Sequence, residues 1–260
     1  MAYRRYRLTG AALFGLLCAA LLALLPSPGR AFGDDGAFHP RVLLVGDAQP
    51  DPVRSSAPAR WSWELMSRTS APARLAPGTV RADANSLLAE PFAYWFGARD
   101  VGVFSPRELE TLRRFFALGG VLFVDDSDPS SGAFGRSTRR ELARILPDVK
   151  PVAVGRENVL FRSFYLLSRA VGRFAGPETL DAILRHGQAQ VVFSSHDVAG
   201  ALAQGPGGRA AFDAVPDGER QREMAIRLAV NVAMYVLCSN YKDDQVHAPF
   251  LMRRRARGIR

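Results

Sequence analysis

The chain holds 260 residues, room for one large domain or two small ones, and at 48% hydrophobic and 23% charged it has the composition of a globular protein with a substantial core. Its net charge of +9 sits at the two ends: Arg4, Arg5, Arg7 and Arg30, and then Arg253, Arg254, Arg255, Arg257 and Arg260, lie where there is no acid, so the body carries 25 basic against 25 acidic residues. A neutral body offers no basic face, which excludes nucleic acid from the partners expected.

The N-terminal segment reads as a targeting signal. Arg4, Arg5 and Arg7 precede an apolar run from Ala11 to Leu25, followed by a Pro26–Gly29 break and small residues near Ala31. That is the layout of a secretory signal peptide cleaved after Ala31. The run of 15 residues is short of the roughly 20 that span a bilayer, so a membrane contact is expected only if the segment stays attached as an anchor. Periplasmic or other export follows. Without the signal, Cys238 is the only cysteine, and no internal disulfide is available.

Residues 32–40 read as a flexible leader. Arg41–Gly46 follows as a strand without polar alternation, hence central, with Asp47 at its carboxyl end. A Pro/Ala/Ser-rich loop over 48–60 leads to a short helix at Trp61–Thr69, with Trp61, Leu65 and Trp63 as its inward candidates. Phe92–Phe96 has strong β propensity and ends at Gly97.

The stretch Phe104–Asp128 carries the densest signals. Ser105 with Glu108 spells a capping box, Pro106 fits the first turn, and Leu109, Leu112, Phe115 and Phe116 recur at helical spacing. Gly119 and Gly120 stop the helix, and Val121–Val124 reads as a strand covered on both faces. Asp125, Asp126 and Asp128 come directly after it.

Beyond a turn over Ser130–Gly135, Thr138 and Glu141 suggest a capping box for a helix ending at Leu146, before Pro147. Val152–Val154 is a short strand, and Asn158–Leu167 a helix-like or irregular apolar stretch. Leu180–Arg185 and Gln190–Ser195 flank the turn-like His186–Gly187 as a hairpin or two edge strands, and His196-Asp197 follows. A Gly/Pro-rich loop, Gly200–Gly218, precedes a buried helix from Glu219 to Cys238, in which Asn231 is expected to tie down a neighbouring loop. The tail from Asn240 is expected to pack back on the domain, with Lys242, Asp243, Asp244 and His247 in a turn.

Alternating helices and unalternating strands indicate a three-layer, doubly wound α/β domain with a mostly parallel sheet. The plan is therefore a signal peptide (1–31), a leader (32–40), one α/β domain (41–252) and a basic tail (253–260).

Four segments in order resemble the bacterial domain of unknown function 4159 family: Ala93–Gly97 (AYWFG), Leu118–Asp126 (LGGVLFVDD), Phe161–Leu167 (FRSFYLL) and Asn240–His247 (NYKDDQVH). The resemblance covers about residues 40–255. It implies a class I glutamine amidotransferase-like, flavodoxin-like fold, and it brings no assigned activity to carry over to this chain. In this chain the loop after Asp197 reads Val-Ala-Gly-Ala-Leu, where the family pattern leads one to expect an aromatic near Leu202.

Amidotransferase chemistry needs a cysteine on the strand-to-helix turn; the turn after Val124 carries Asp-Asp-Ser-Asp instead. Glutaminase activity is excluded on those residues, and no G-x-S-x-G elbow is present. The candidate ligand-binding residues are the polar groups at strand carboxyl ends: Asp47, Asp125, Asp126, Asp128, His196 and Asp197. Two further roles are weighed for the aspartates. Asp125, Asp126 and Asp197 could hold Mg²⁺ or Ca²⁺, which take hard oxygen ligands. Alternatively, Asp125 or Asp126 caps the next turn and pairs with Arg139 or Arg140. The expected function is a non-catalytic module of the cell envelope that binds a polar ligand or another envelope protein. The alternative is a divalent-metal-dependent hydrolase using the acidic cluster.

Overall fold

The computed structural model describes residues 36–257, and the side chains of residues 36–239. The signal segment and the side chains of the tail, including those of Lys242, Asp243, Asp244, His247 and the terminal arginines, lie outside the described residues.

The strands are β1 (Arg41–Leu44), β2 (Thr79–Arg81), β3 (Phe92–Gly97), β4 (Val121–Asp126), β5 (Val152–Val154), β6 (Leu180–Arg185) and β7 (Gln188–Ser194). They form one seven-stranded sheet in the order β2-β1-β3-β4-β7-β6-β5. The first five in that order run parallel, and the β6 and β5 edge runs antiparallel. The helices are α1 (Ala57–Thr69), α2 (Pro106–Ala117), α3 (Ala133–Ile145), α4 (Val198–Leu202) and α5 (Gly218–Arg257).

Two apolar cores cover the two faces of the sheet, one under α1, α4 and α5 and the other under α2 and α3. The strands are buried on both sides, which is why their sequences show no alternation. The first core is built on aromatic rings. Trp61 stacks edge-on against Phe92, Tyr94 and Phe123 and donates its indole N–H to the Ala229 carbonyl at 2.8 Å. Phe38 joins the cluster and is buried, and its backbone pairs with Pro72 and Arg74. Phe38, expected in a flexible leader, is thus packed into the core.

The capping box forms as the spacing predicts: Ser105 accepts from the Glu108 N–H, and Glu108 accepts from the Ser105 N–H. Other boundaries shift. Helix α1 begins at Ala57, with a proline in its first turn, and Trp63 faces outward at 48% exposure. Helix α3 begins at Ala133 with Gly132 as a cap that offers no side chain, so Thr138 lies inside the helix and bonds the Gly135 carbonyl. Glu141 is not a cap either; it accepts from the Phe104 N–H and pairs with Arg140 and Arg144. Strands β6 and β7 form a hairpin through His186 (φ 51°) and Gly187 (φ 79°), two positive φ values that match the twist of antiparallel strands. Only β6 lies near the edge, since β7 also pairs with β4. Helix α5 continues past Cys238, which is exposed rather than buried, and the tail expected to fold back stays helical through Arg257.

Asn231 does what its polarity in an apolar helix implies. Its amide accepts from the Tyr165 N–H at 2.7 Å and donates to the Tyr165 carbonyl at 2.8 Å, fixing the Phe161–Leu167 segment.

Candidate functional site

Strand β4 runs two residues further than its apolar run, through Asp125 and Asp126. Successive side chains of a strand point to opposite faces. Val121 and Phe123 enter the core under α1, and Leu122 and Val124 enter the core under α2 and α3. Asp125 therefore belongs to the first face and Asp126 to the second. Adjacent in sequence, the two carboxylates diverge in space.

Asp125 is fully buried. Its Oδ2 accepts from the Tyr94 hydroxyl at 3.0 Å and from the Ala199 N–H at 2.8 Å, while Oδ1 has no hydrogen-bond partner. Burial first, and then the neighbouring Asp197 charge, push its carboxyl up to about 7. Burial and the same Asp125 carboxyl hold the Tyr94 hydroxyl well above its ordinary value.

Asp197 is equally buried but is compensated. Arg54 grips it two-pronged, Nε to Oδ1 at 3.0 Å and Nη2 to Oδ2 at 2.9 Å. Arg173 Nε reaches Oδ2 at 2.5 Å, and the Gly200 N–H reaches Oδ1 at 2.9 Å. Both guanidiniums also lie over the Phe212 ring. Burial opposes the charge on Arg54, but Asp197 and Asp51 outweigh it and hold the guanidinium above its usual range. Asp197 adopts φ 53°, a strained conformation for a residue with a Cβ, and these four bonds hold it there. The cluster draws the loop before α1, the Arg173 loop and the Phe212 loop together over the ends of β4 and β7.

His196 is also built in. Its Nε2 lies 2.9 Å from the Pro177 carbonyl, so that nitrogen carries the proton, and Nδ1 lies 3.5 Å from Ser194 Oγ. Burial holds its pKa below the ordinary value. A Cβ at Gly172 would come within 2.2 Å of the His196 carbonyl oxygen, so glycine is required for this approach. Asp126 accepts from the Asp128 N–H and the Gly135 N–H, both at 3.0 Å, and so closes the turn into α3. Asp128 holds Ser130 and the Ser131 N–H in the same turn. The capping role weighed for the acidic cluster thus falls to Asp126. The arginine partners differ from those expected: Arg139 pairs with Asp181, and Arg140 with Asp100 and Glu141. Among the described residues, no group of three His, Cys, Asp or Glu side chains is placed to hold a metal ion.

Asp47 stands apart from all of these. It lines an open cleft of about 790 Å³ between the carboxyl ends of β1 and β3, with Gly46, Trp95, Gly97, Arg99 and Phe134. The strand order reverses there, with β2 on one side of β1 and β3 on the other. Such switch points are where open α/β sheets bind ligands. Glu108 shapes the wall: besides capping α2, its Oε1 accepts from the Gly46 N–H at 2.7 Å.

A family model described as Domain of unknown function (DUF4159) matches residues 43–237. The chain belongs to this family. No curated protein matches it. The DUF4159 region takes in both the locked strand-end cluster and the cleft. Of the segments that carried the resemblance, Ala93–Gly97 lies within β3, Leu118–Asp126 runs from the end of α2 through β4, and Phe161–Leu167 is the segment that Asn231 fixes.

Of the six strand-end candidates, the structure brings Asp125 and Asp197 together, with His196 next to Asp197 in the chain; Asp126 and Asp128 share a separate turn, and Asp47 lies in the cleft. Sequence reasoning missed Arg54, Tyr94, Arg173 and Arg99. Arg54 lies in a Pro/Ser-rich loop and Arg173 in an irregular stretch, where no periodicity marks a partner. Tyr94 looked like one more apolar strand residue.

Proposed function

We propose that this DUF4159 protein is an exported, non-catalytic binding or assembly module of the cell envelope, with a flavodoxin-like, class I glutamine amidotransferase-like fold, and that its ligand sits in the cleft between β1 and β3. One observation carries the reading. The buried carboxylates beside β4 and β7 are engaged by arginines, a tyrosine and backbone amides, whereas the switch-point cleft is open and keeps charged side chains unengaged. The parallel strand order 2-1-3-4-7 supports the fold, being the flavodoxin order with the β5–β6 pair added at one edge. Arg4, Arg5 and Arg7 ahead of the Ala11–Leu25 run support export. The end of β4 and the turn after it carry carboxylates where a glutaminase carries its thiol, and Cys238 lies on α5. A binding role in place of turnover accounts for both.

The test is a fragment screen on the ¹⁵N-labelled protein, read by amide shifts. Fragments are expected to move Gly46, Asp47, Gly97 and Arg99. Hits that gather elsewhere and spare those amides would overturn the assignment.

A further inference from the structure

Four charged side chains line the cleft: Asp47, Asp51, Arg99 and Asp100. Two are committed within the protein. Asp51 holds the Arg54 guanidinium and the Val53 N–H, and Asp100 holds Arg140 and the Gly102 N–H. The other two are not. Among the described residues, neither the Asp47 carboxylate nor the Arg99 guanidinium has a hydrogen-bond or ion-pair partner, and the two do not pair with each other.

Their placement is specific. The β1–β3 register matches Val42 with Tyr94, and Asp47 and Arg99 each lie five residues beyond that pair. Strand β1 ends at Leu44 and β3 at Gly97, so Asp47 and Arg99 stand in the two turns that leave these neighbouring strands, and both line the cleft. Between them the floor is apolar, formed by Val45, Trp95 and Phe134. One free anion and one free cation lining one cleft with an apolar floor match a molecule with a positive end, a negative end and an apolar body. A simple anion would meet Asp47, and a simple cation would meet Arg99; each would be repelled by one wall. Like-charge contacts are how sites reject wrong partners.

We propose that the cleft binds a small zwitterion of the amino-acid or short-peptide type, its ammonium on Asp47 and its carboxylate on Arg99. Guanidinium and carboxylate match as two parallel N–H···O bonds, which suits Arg99 to the acid end. The cleft is larger than a single amino acid needs and falls within the 300–1,000 Å³ typical of ligand sites, which favours a dipeptide or longer. This inference rests on the cleft being the binding site.

The experiment titrates the protein with a panel of dipeptides bearing apolar side chains, each in free, N-acetylated and C-amidated form, by calorimetry. Free dipeptides are expected to bind at least tenfold more tightly than either blocked form, about 1.4 kcal/mol. Asp47→Asn should remove the preference over the acetylated form and leave that over the amide, and Arg99→Gln the reverse. Both positions are exposed, so unfolding midpoints matching the parent's will show that folding is intact. Blocked dipeptides binding as tightly as free ones would overturn the inference, as would variants that leave both preferences unchanged. Failure of every dipeptide while other fragments enter the cleft would overturn the zwitterion and leave the site standing. If nothing enters the cleft, the site assignment fails with it.

Discussion

Replacing Asp125 by asparagine removes a buried acid while keeping its shape. The native carboxyl holds its proton up to about pH 7, because it is buried beside Asp197, whereas the unfolded chain releases it near the ordinary carboxyl value of 3.8. Between those values the folded protein binds a proton that the unfolded chain does not, so this group's contribution to stability falls as pH rises and levels off above about 7. Each pH unit in the window is worth about 1.4 kcal/mol, which sets a ceiling of roughly 4 kcal/mol across it. The asparagine side chain does not titrate and keeps an acceptor for Tyr94 and the Ala199 N–H. The Asp125→Asn variant should therefore gain on the parent by about 2–3 kcal/mol between pH 5 and pH 8. For a domain of this size that is a relative gain of roughly 4–12 °C in melting temperature. Thermal unfolding of both proteins at pH 5, 6, 7 and 8 reads it directly. The groups held below their usual range, Glu141 and Glu223 among them, act in the opposite direction but cancel in the comparison. Parallel curves would refute the claim that Asp125 is held protonated.

Asp197→Ala leaves the part-buried Arg173 guanidinium without its carboxylate and Arg54 with Asp51 alone, and should cost about 3 kcal/mol, the low end for breaking a buried pair, measured by urea unfolding. Asn231→Leu leaves the Tyr165 N–H and carbonyl unpaired, so a loss of about 1–3 kcal/mol is expected, with faster amide exchange at Tyr165. Glu108→Ala removes a capping box and the Gly46 anchor together; a loss of about 1–2 kcal/mol should accompany weaker binding in the cleft. Because Asp125 and Asp126 face opposite sides of the sheet and Asp197 is clamped by arginines, Mg²⁺, Ca²⁺ or EDTA should leave the melting temperature unchanged.

Where the signals were local, the sequence was enough. Helix α2 and strand β4 could be read from the Ser105–Glu108 box, the Leu109–Phe116 stripe and the unbroken Val121–Val124 run. Asn231 was legible because a polar residue in an apolar helix must find a partner. Weak local signals misled: β2 is three residues at an edge, α4 is a short helix of small and aliphatic residues, and α3 starts after a glycine, so the later Thr138–Glu141 pair looked like a start. The acidic cluster was legible as a place but not as an arrangement. Reading Asp125 and Asp126 as loop hid the two-residue period that sends them apart, because the strand runs on through them. The meeting of Arg54, Arg173 and Asp197 belongs to tertiary structure alone, joining loops far apart in the chain.

The most direct test of the account is a crystal structure of the protein soaked with the tightest ligand found in the fragment and dipeptide screens. The account predicts that ligand intact in the cleft between β1 and β3, in contact with Asp47 and Arg99, with the Asp125–Asp197 cluster unchanged. A ligand seated against Asp125 and Asp197 at the ends of β4 and β7, or one found cleaved, would contradict it.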